Sequence, residues 1–276
     1  MVDSRNILLA GVARSGSTLA CYLINKSSNA VALLEPIEPK EVTALSHDKV
    51  VSFLNGFCLQ QRLIIKDKGT AKSKSINKVV PDNLMGGINS KSGKREIILD
   101  GDSISIKKKL NSNFSLVVKQ PGMFTGMLYF LKYHFPCYAT IRNPLAILQS
   151  WNSVELPVKY GHAPAAEQCD PKLKLLLANE NDVYTRQLIL LSWYFEQFYN
   201  HLPAENIIRY EEVVDTGGKC LSCIVASAGQ LREDLQSKNK NTLYNESLKV
   251  ELANRLLASD GFYWNYYTAD DIHSLL

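Results

Sequence analysis

Short apolar runs, separated by longer stretches with helical spacing, set the plan of the chain. Residues 6–10 form a run that stops at Gly11, gives way to a Gly/Ser/Thr loop, and continues into the spacing Leu19, Tyr22, Leu23. This pattern predicts strand, loop, helix. Residues 31–34 predict a second buried strand, closed by Glu35-Pro36-Ile37-Glu38-Pro39, whose prolines favour an extended loop. Residues 45–65 read as a helix. Further short strands are predicted at 115–119, 137–141 and 206–209, with helical patterns such as 124–134 and 184–199 between them. Strands that alternate with helices imply a largely parallel sheet covered on both faces, with ligands at the carboxyl ends of the strands.

Residues 66–95 break the pattern. Lys, Ser, Gly and Asn dominate there, and few large apolar side chains are present to fix a packing, so a mobile insertion is expected. Asp100-Gly101 between two alternating runs predicts a hairpin attached to it, which carries the insertion to about residue 110. Lys107-Lys108-Lys109 reads as a solvated edge. A Pro/Gly-containing stretch at about 155–180, with His162 in it, is placed to cap a substrate, although His162 itself reads as a solvated loop residue. The aromatic stripe Trp193, Tyr194, Phe195, Phe198, Tyr199 follows one helical face and reads as core. The tail with FYWNYY reads as a closing helix or latch.

Composition narrows the class. A chain of 276 residues with 46% hydrophobic content can build one large α/β domain spanning 1–276. A net charge of +4 is too small for a dedicated nucleic-acid binder and suits local pockets for an anion. The six cysteines lie among apolar neighbours and read as reduced thiols; Cys220 and Cys223 have metal-pair spacing without a second pair to complete a zinc site. The five histidines show no ligand spacing, so no metal is expected. No apolar run reaches the ~20 residues that span a bilayer, and no secretory signal is recognised, so a soluble, cytoplasmic protein without membrane partner is expected.

The chemistry is concentrated at the strand ends. Gly11-Val-Ala-Arg-Ser-Gly-Ser-Thr18 lies between the first strand and first helix, where backbone N–H groups and a helix amino terminus can cradle a phosphate or sulfate. It resembles the Walker pattern, but Ser17 stands at the lysine position and the basic residue has moved to Arg14. The strand at 137–141 ends in Arg142-Asn143-Pro144, where a magnesium-dependent NTPase needs an acid. Ser150, eight positions after Arg142, can face the same ligand. A ligand with two separated anionic groups fits this arrangement.

Arg14-Ser-Gly-Ser-Thr18, then Arg142-Asn-Pro with Ser150, then Arg209-Tyr-Glu-Glu212 resemble, in order, the motifs of the sulfotransferases that use 3′-phosphoadenosine-5′-phosphosulfate (PAPS). The resemblance covers residues 5–35 and 115–215. It implies a P-loop-like three-layer α/β/α sandwich with a mainly parallel sheet, PAPS as co-substrate and adenosine 3′,5′-bisphosphate as product. It also implies that Arg14, Ser15, Gly16, Ser17 and Thr18 hold the 5′-phosphosulfate, that Arg142 and Ser150 hold the 3′-phosphate, and that Tyr210 lies against the adenine. Cytosolic members use a histidine base after a lysine; here the stretch is Val118-Lys119-Gln120 and has none. Other branches carry a glutamate in a Glu-Pro context, which Glu35-Pro36 matches, so Glu35 is the candidate base, with Glu38 in reserve and Lys119 a candidate for stabilising the bridging oxygen. The family's carboxyl-proximal Gly-rich phosphate segment is absent, leaving Arg232, Lys238 or Lys240 to replace it. The acceptor is expected to be a small molecule with a hydroxyl or nitrogen. The whole chain resembles bacterial tailoring enzymes of secondary metabolism, including those of cyanobacterial saxitoxin pathways, which act on alkaloids. Two other readings stay open: a non-catalytic nucleotide-binding module of the same fold, and a P-loop nucleotide kinase.

Overall fold

The computed structural model describes residues 5–89, 93 and 95–276. In chain order the elements begin β1 (Asn6–Gly11), α1 (Ser17–Lys26), β2 (Ala30–Leu34), α2 (His47–Lys68), β3 (Thr70–Ser75), β4 (Met85–Ile88), β5 (Arg95–Ile97) and β6 (Gly101–Ser105). They continue with β7 (Ser115–Lys119), α3 (Pro121–Leu131), β8 (Cys137–Ile141), α4 (Pro144–Asn152), α5 (Pro164–Cys169), α6 (Pro171–Asn179) and α7 (Val183–His201). The chain closes with β9 (Ile207–Arg209), α8 (Tyr210–Asp215), α9 (Glu246–Leu257) and α10 (Ala269–His273).

Five strands form one parallel sheet in the order β2-β7-β1-β8-β9. Every residue of β1 and β2 is buried, as expected of strands covered on both faces, and this is why they read as unbroken apolar runs. After β1 the chain travels towards β2 on one side; after β8 it moves to β9 on the other. The crossovers therefore diverge at the carboxyl ends of β1 and β8, the position where open α/β sheets form a ligand crevice. The edge strand β2 is not left bare. The Asn25 amide pairs with both backbone groups of Ala32, at 2.8 and 2.9 Å, and the Leu34 N–H donates to Ser73 Oγ at 2.9 Å. Side chains thus take up hydrogen bonds that an intruding strand would otherwise use.

The insertion is more ordered than its composition predicts. β3 pairs with β6 and β4 pairs with β5, both antiparallel. Asp100-Gly101 is consequently not a hairpin turn: the runs before and after it belong to different ribbons. The Asp100 carboxylate accepts from the Asn77 N–H at 3.0 Å, and its own N–H donates to the Ser75 carbonyl, so it ties one ribbon to the end of the other. Residues 90–92 and 94 of the expected mobile stretch lie outside the described residues. Lys108 also departs from the solvated reading. Its Nζ donates to the carbonyls of Asn25 and Ser27, at 2.8 and 2.7 Å, where a cation meets the negative end of α1, and burial lowers its pKa to about 8.

Residues 155–180 form a 3-10 turn (Pro157–Tyr160), α5 and α6 rather than a loop, each with proline at its start, where the missing N–H costs no bond. Thr43 Oγ1 donates to Gln168 Oε1 at 3.2 Å, so this segment lies beside the loop that follows β2. Trp193, Tyr194, Phe195 and Phe198 are core as the spacing predicts, whereas Tyr199 is exposed. Phe195 packs edge-on against Tyr263 of the tail at 6.1 Å, which closes the fold over α7. Among the described residues no helix is long and apolar enough to cross a membrane.

Candidate functional site

The loop between β1 and α1 is fastened residue by residue to β8 and α4. Trp151 Nε1 donates to the Ala13 carbonyl at 2.9 Å, Arg142 Nη1 to the Arg14 carbonyl at 3.2 Å, and Ser15 Oγ shares a 2.7 Å bond with Thr140 Oγ1. Arg14 adopts φ 72 and Gly16 φ 89. A left-handed arginine is strained, and such strain is held where the surrounding bonds enforce it and a site profits from it. At Gly16 the backbone approaches closely: a Cβ there would lie 2.6 Å from Tyr210 Cδ2. Gly16 precedes α1 without a side-chain cap, and the first turn of α1 carries no acid, so its N–H groups are available to an anion.

Three arginines converge on this loop. Arg14 Nε donates to Ser150 Oγ at 3.2 Å. Arg142 stacks on the Tyr210 ring at 4.6 Å and donates to Asn239 Oδ1, the Lys238 carbonyl and the Tyr244 hydroxyl at 2.7, 2.6 and 3.4 Å. Arg95, 8% exposed, donates to the carbonyls of Gly86 and Met85 at 2.9 and 3.0 Å. Burial, then the charges of Arg95 and Arg142, lower the Arg14 pKa to about 10, which still leaves it cationic at neutral pH. Among the described residues no carboxylate pairs with any of the three guanidiniums. Buried cations normally have acidic partners, so a cluster without them among the described residues has the charge to receive an anion.

The sequence-derived residues thus come together, with differences. Arg14, Arg142, Ser150 and Tyr210 form one contiguous cluster, linked by the bond that Arg14 donates to Ser150 and by the Arg142 guanidinium on the Tyr210 ring. Ser15 turns its hydroxyl towards β8 and offers only backbone to a ligand. Ser17 and Thr18 begin α1 and are buried. Of the three basic residues considered as substitutes for the Gly-rich segment, Lys238 reaches the site, but through its backbone: its N–H donates to Tyr210 Oη at 2.9 Å and its carbonyl accepts from Arg142. Arg232 is turned to its own loop, donating to the carbonyls of Gly229 and Leu231, and Lys240 is exposed.

Glu35 and Lys119 stand further along the same edge of the sheet, at the ends of β2 and β7. By strand spacing the end of β2 lies ~10 Å from that of β1. Glu35 adopts φ 44 and binds Lys119 Nζ at 2.5 Å and Lys74 Nζ at 2.9 Å. Burial alone would raise its pKa; Lys119 and then Lys74 outweigh it and bring it down to about 2. The carboxylate is therefore ionised at all ordinary pH values and is a weak proton acceptor, which counts against it as a strong base. Glu38 has no place in this cluster. Lys74, Asn83, Arg95, Asn239 and Tyr244 were not legible as site residues: Lys74, Asn83 and Arg95 sit in the polar insertion, where no periodicity marks a special lysine or arginine.

Compared with known proteins, the chain matches no protein-family model and no curated sequence.

Proposed function

We propose that the chain is a PAPS-dependent sulfotransferase with a P-loop-like three-layer fold, moving a sulfonyl group to a hydroxyl or nitrogen of a small molecule, such as a saxitoxin-type alkaloid of secondary metabolism. The observation that carries this reading is the cluster of half-buried Arg14 with buried Arg142 and Arg95, without acid partners among the described residues, beside the strand ends where the crossovers diverge. A donor with a 5′-phosphosulfate and a 3′-phosphate supplies the missing negative charge. Tyr210, 6% exposed and packed against both Arg142 and Gly16, ties these anion-binding elements together and offers the adenine little surface, while the uncapped first turn of α1 supplies N–H groups for the phosphosulfate.

In this reading the acceptor's oxygen or nitrogen bonds to sulfur as the bond from sulfur to the 5′-phosphate oxygen breaks, and adenosine 3′,5′-bisphosphate departs. Arg14 and the first-turn N–H groups of α1 neutralise the charge that grows on the departing phosphate. Arg142 and Ser150 hold the 3′-phosphate, which requires Ser150 to exchange its bond with Arg14 for one to the ligand. Lys119 offers charge to the bridging oxygen. Glu35 receives the acceptor's proton; a weak carboxylate base suffices where the transition state is loose and the proton leaves late, as in the related case of phosphoryl transfer.

The test is calorimetric binding of adenosine 3′,5′-bisphosphate against ADP, with and without Mg²⁺. Tight, metal-independent binding of the bisphosphate, weakened about a hundredfold or more by Arg142→Ala through loss of charge-assisted bonds, is the expected result. Preference for Mg²⁺-ADP would replace this reading with the nucleotide kinase.

A further inference from the structure

A cleft of about 370 Å³ opens on the far side of Tyr244 from Arg142. Its lining includes the polar Arg95, Gln149, Asn152, Ser153 and Tyr244 and the apolar Ile88, Leu243 and Leu252. None of residues 14–18, Arg142 or Ser150 lines it, so it adjoins the donor cluster without including the loop, with Arg95 and Tyr244 standing between the two: Arg95 adds its charge to that around Arg14, and the Tyr244 hydroxyl accepts from Arg142.

Gln149 is the unexplained residue. It is 5% exposed, it faces this cleft from α4, and its Nε2 has no hydrogen-bond partner among the described residues. A buried amide donor left unmade costs free energy unless something supplies an acceptor. Arg95 adds a positive charge: Nε and Nη2 donate to carbonyls, Nη1 makes no hydrogen bond, and no acid neutralises the guanidinium among the described residues. The amino terminus of α9, a helix of 12 residues, borders the same cleft through Asn245 and Glu246. The Glu246 carboxylate is turned outwards, 74% exposed and paired with Lys249 at 2.5 Å, so it does not fill the role of counter-ion.

We infer that the cleft binds a small organic anion, its oxyanion head on Arg95 and Gln149 and its apolar body against Ile88, Leu243 and Leu252. Its volume lies at the lower end of small-molecule pockets, large enough for a ring bearing one charged group. Identifying this molecule as the sulfonyl acceptor rests on the function proposed above; the anion site itself does not. The acceptor class that follows is one already carrying a phosphate, sulfate or carboxylate.

Phenyl phosphate is the probe, with phenol as its uncharged counterpart, measured by calorimetry on the full chain. Wild type is expected to bind phenyl phosphate at least tenfold more tightly than phenol, and saturating adenosine 3′,5′-bisphosphate is expected not to displace it. Gln149→Leu keeps the volume and removes the donor; it should weaken phenyl phosphate about tenfold while leaving bisphosphate affinity unchanged. Gln149→Glu gives Arg95 a carboxylate partner, so it should fold and lose phenyl phosphate binding. Equal affinity for phenol, no effect of either substitution, or displacement by the bisphosphate would overturn the inference. If wild type binds phenyl phosphate in this manner but not the bisphosphate, the sulfonyl-transfer reading fails and the anion pocket stands.

Discussion

Replacing Glu35 with glutamine keeps the shape of the side chain and removes the charge that holds Lys119 and Lys74 together. The carboxyl pKa falls from 4.5 to about 2 in the folded chain, a difference of roughly 2.5 units at 1.36 kcal/mol each, which sets a ceiling of about 3 kcal/mol. The Glu35 side chain is 25% exposed and that of Lys74 38%, so solvent screens part of the interaction and about 2 kcal/mol is the expected cost of Glu35→Gln at neutral pH. The sign follows from the direction of the shift. The folded pKa is depressed, so this stability is fully present above the unfolded value near 4.5 and is lost as the pH falls towards 2. Glutamine mimics the protonated acid, so the two proteins should converge in acid. Urea unfolding of both at pH 7, 5, 4 and 3 reads the difference directly. It should hold at about 2 kcal/mol at pH 7 and 5, and shrink below pH 4.5. A difference that does not change with pH, or one under about 0.5 kcal/mol at pH 7, would refute the ion-pair account.

Lys74→Ala removes the more exposed partner and leaves Lys119 in place, so the Glu35 carboxyl pKa should rise from about 2 towards the ordinary range in a side-chain ¹³C NMR titration; an unchanged value would assign the whole depression to Lys119. Gly16→Ala should lower thermal stability by about 1–3 kcal/mol and weaken bisphosphate binding more than tenfold, because the new Cβ meets the Tyr210 ring at 2.6 Å on a backbone at φ 89. Wild-type affinity and melting temperature in that variant would show that the loop relaxes without disturbing Tyr210.

The central sheet was legible because burial on both faces leaves a strong trace: β1, β2 and β7 are mostly apolar runs, and alternation with helices marks the sheet as parallel, although the order β2-β7-β1-β8-β9 is not written in that alternation. Arg14, Arg142 and Tyr210 were legible as neighbours because each stands just after a strand end, and Ser150 because it lies about two helical turns along α4 from Arg142. What the sequence obscured is pairing over distance. Asp100-Gly101 carries the local signature of a hairpin, yet the partner of each flanking strand comes from earlier in the chain, and nothing within a few residues records that choice. The state of Glu35 was equally hidden. Its position was readable, but its pKa depends on Lys74, 39 residues away on a ribbon whose place beside β2 is set by packing. The surroundings of Arg142 show a third limit: it donates to the Lys238 carbonyl and the Asn239 side-chain oxygen, and a search for cations looks past both.

The insertion joins these threads. It contributes Lys74 to Glu35, Asn83 to Arg14 at 3.4 Å, and Arg95 to the charge surrounding Arg14. Each of these contacts lands on a residue of the candidate site, and together they span its length, from the end of β2 to the loop after β1. A polar segment with a purely connecting role would turn its charges to water, since an exposed lysine or arginine costs nothing there and a buried one must be matched. Here a buried arginine and a lysine bound to a site carboxylate are both drawn from the part of the chain with the weakest hydrophobic pattern. The sheet therefore positions Arg14, Arg142 and Glu35, and the insertion sets the charge beside them. On the function proposed above, specificity for the acceptor should follow changes in residues 70–89 and 95–97 more closely than changes in the sheet.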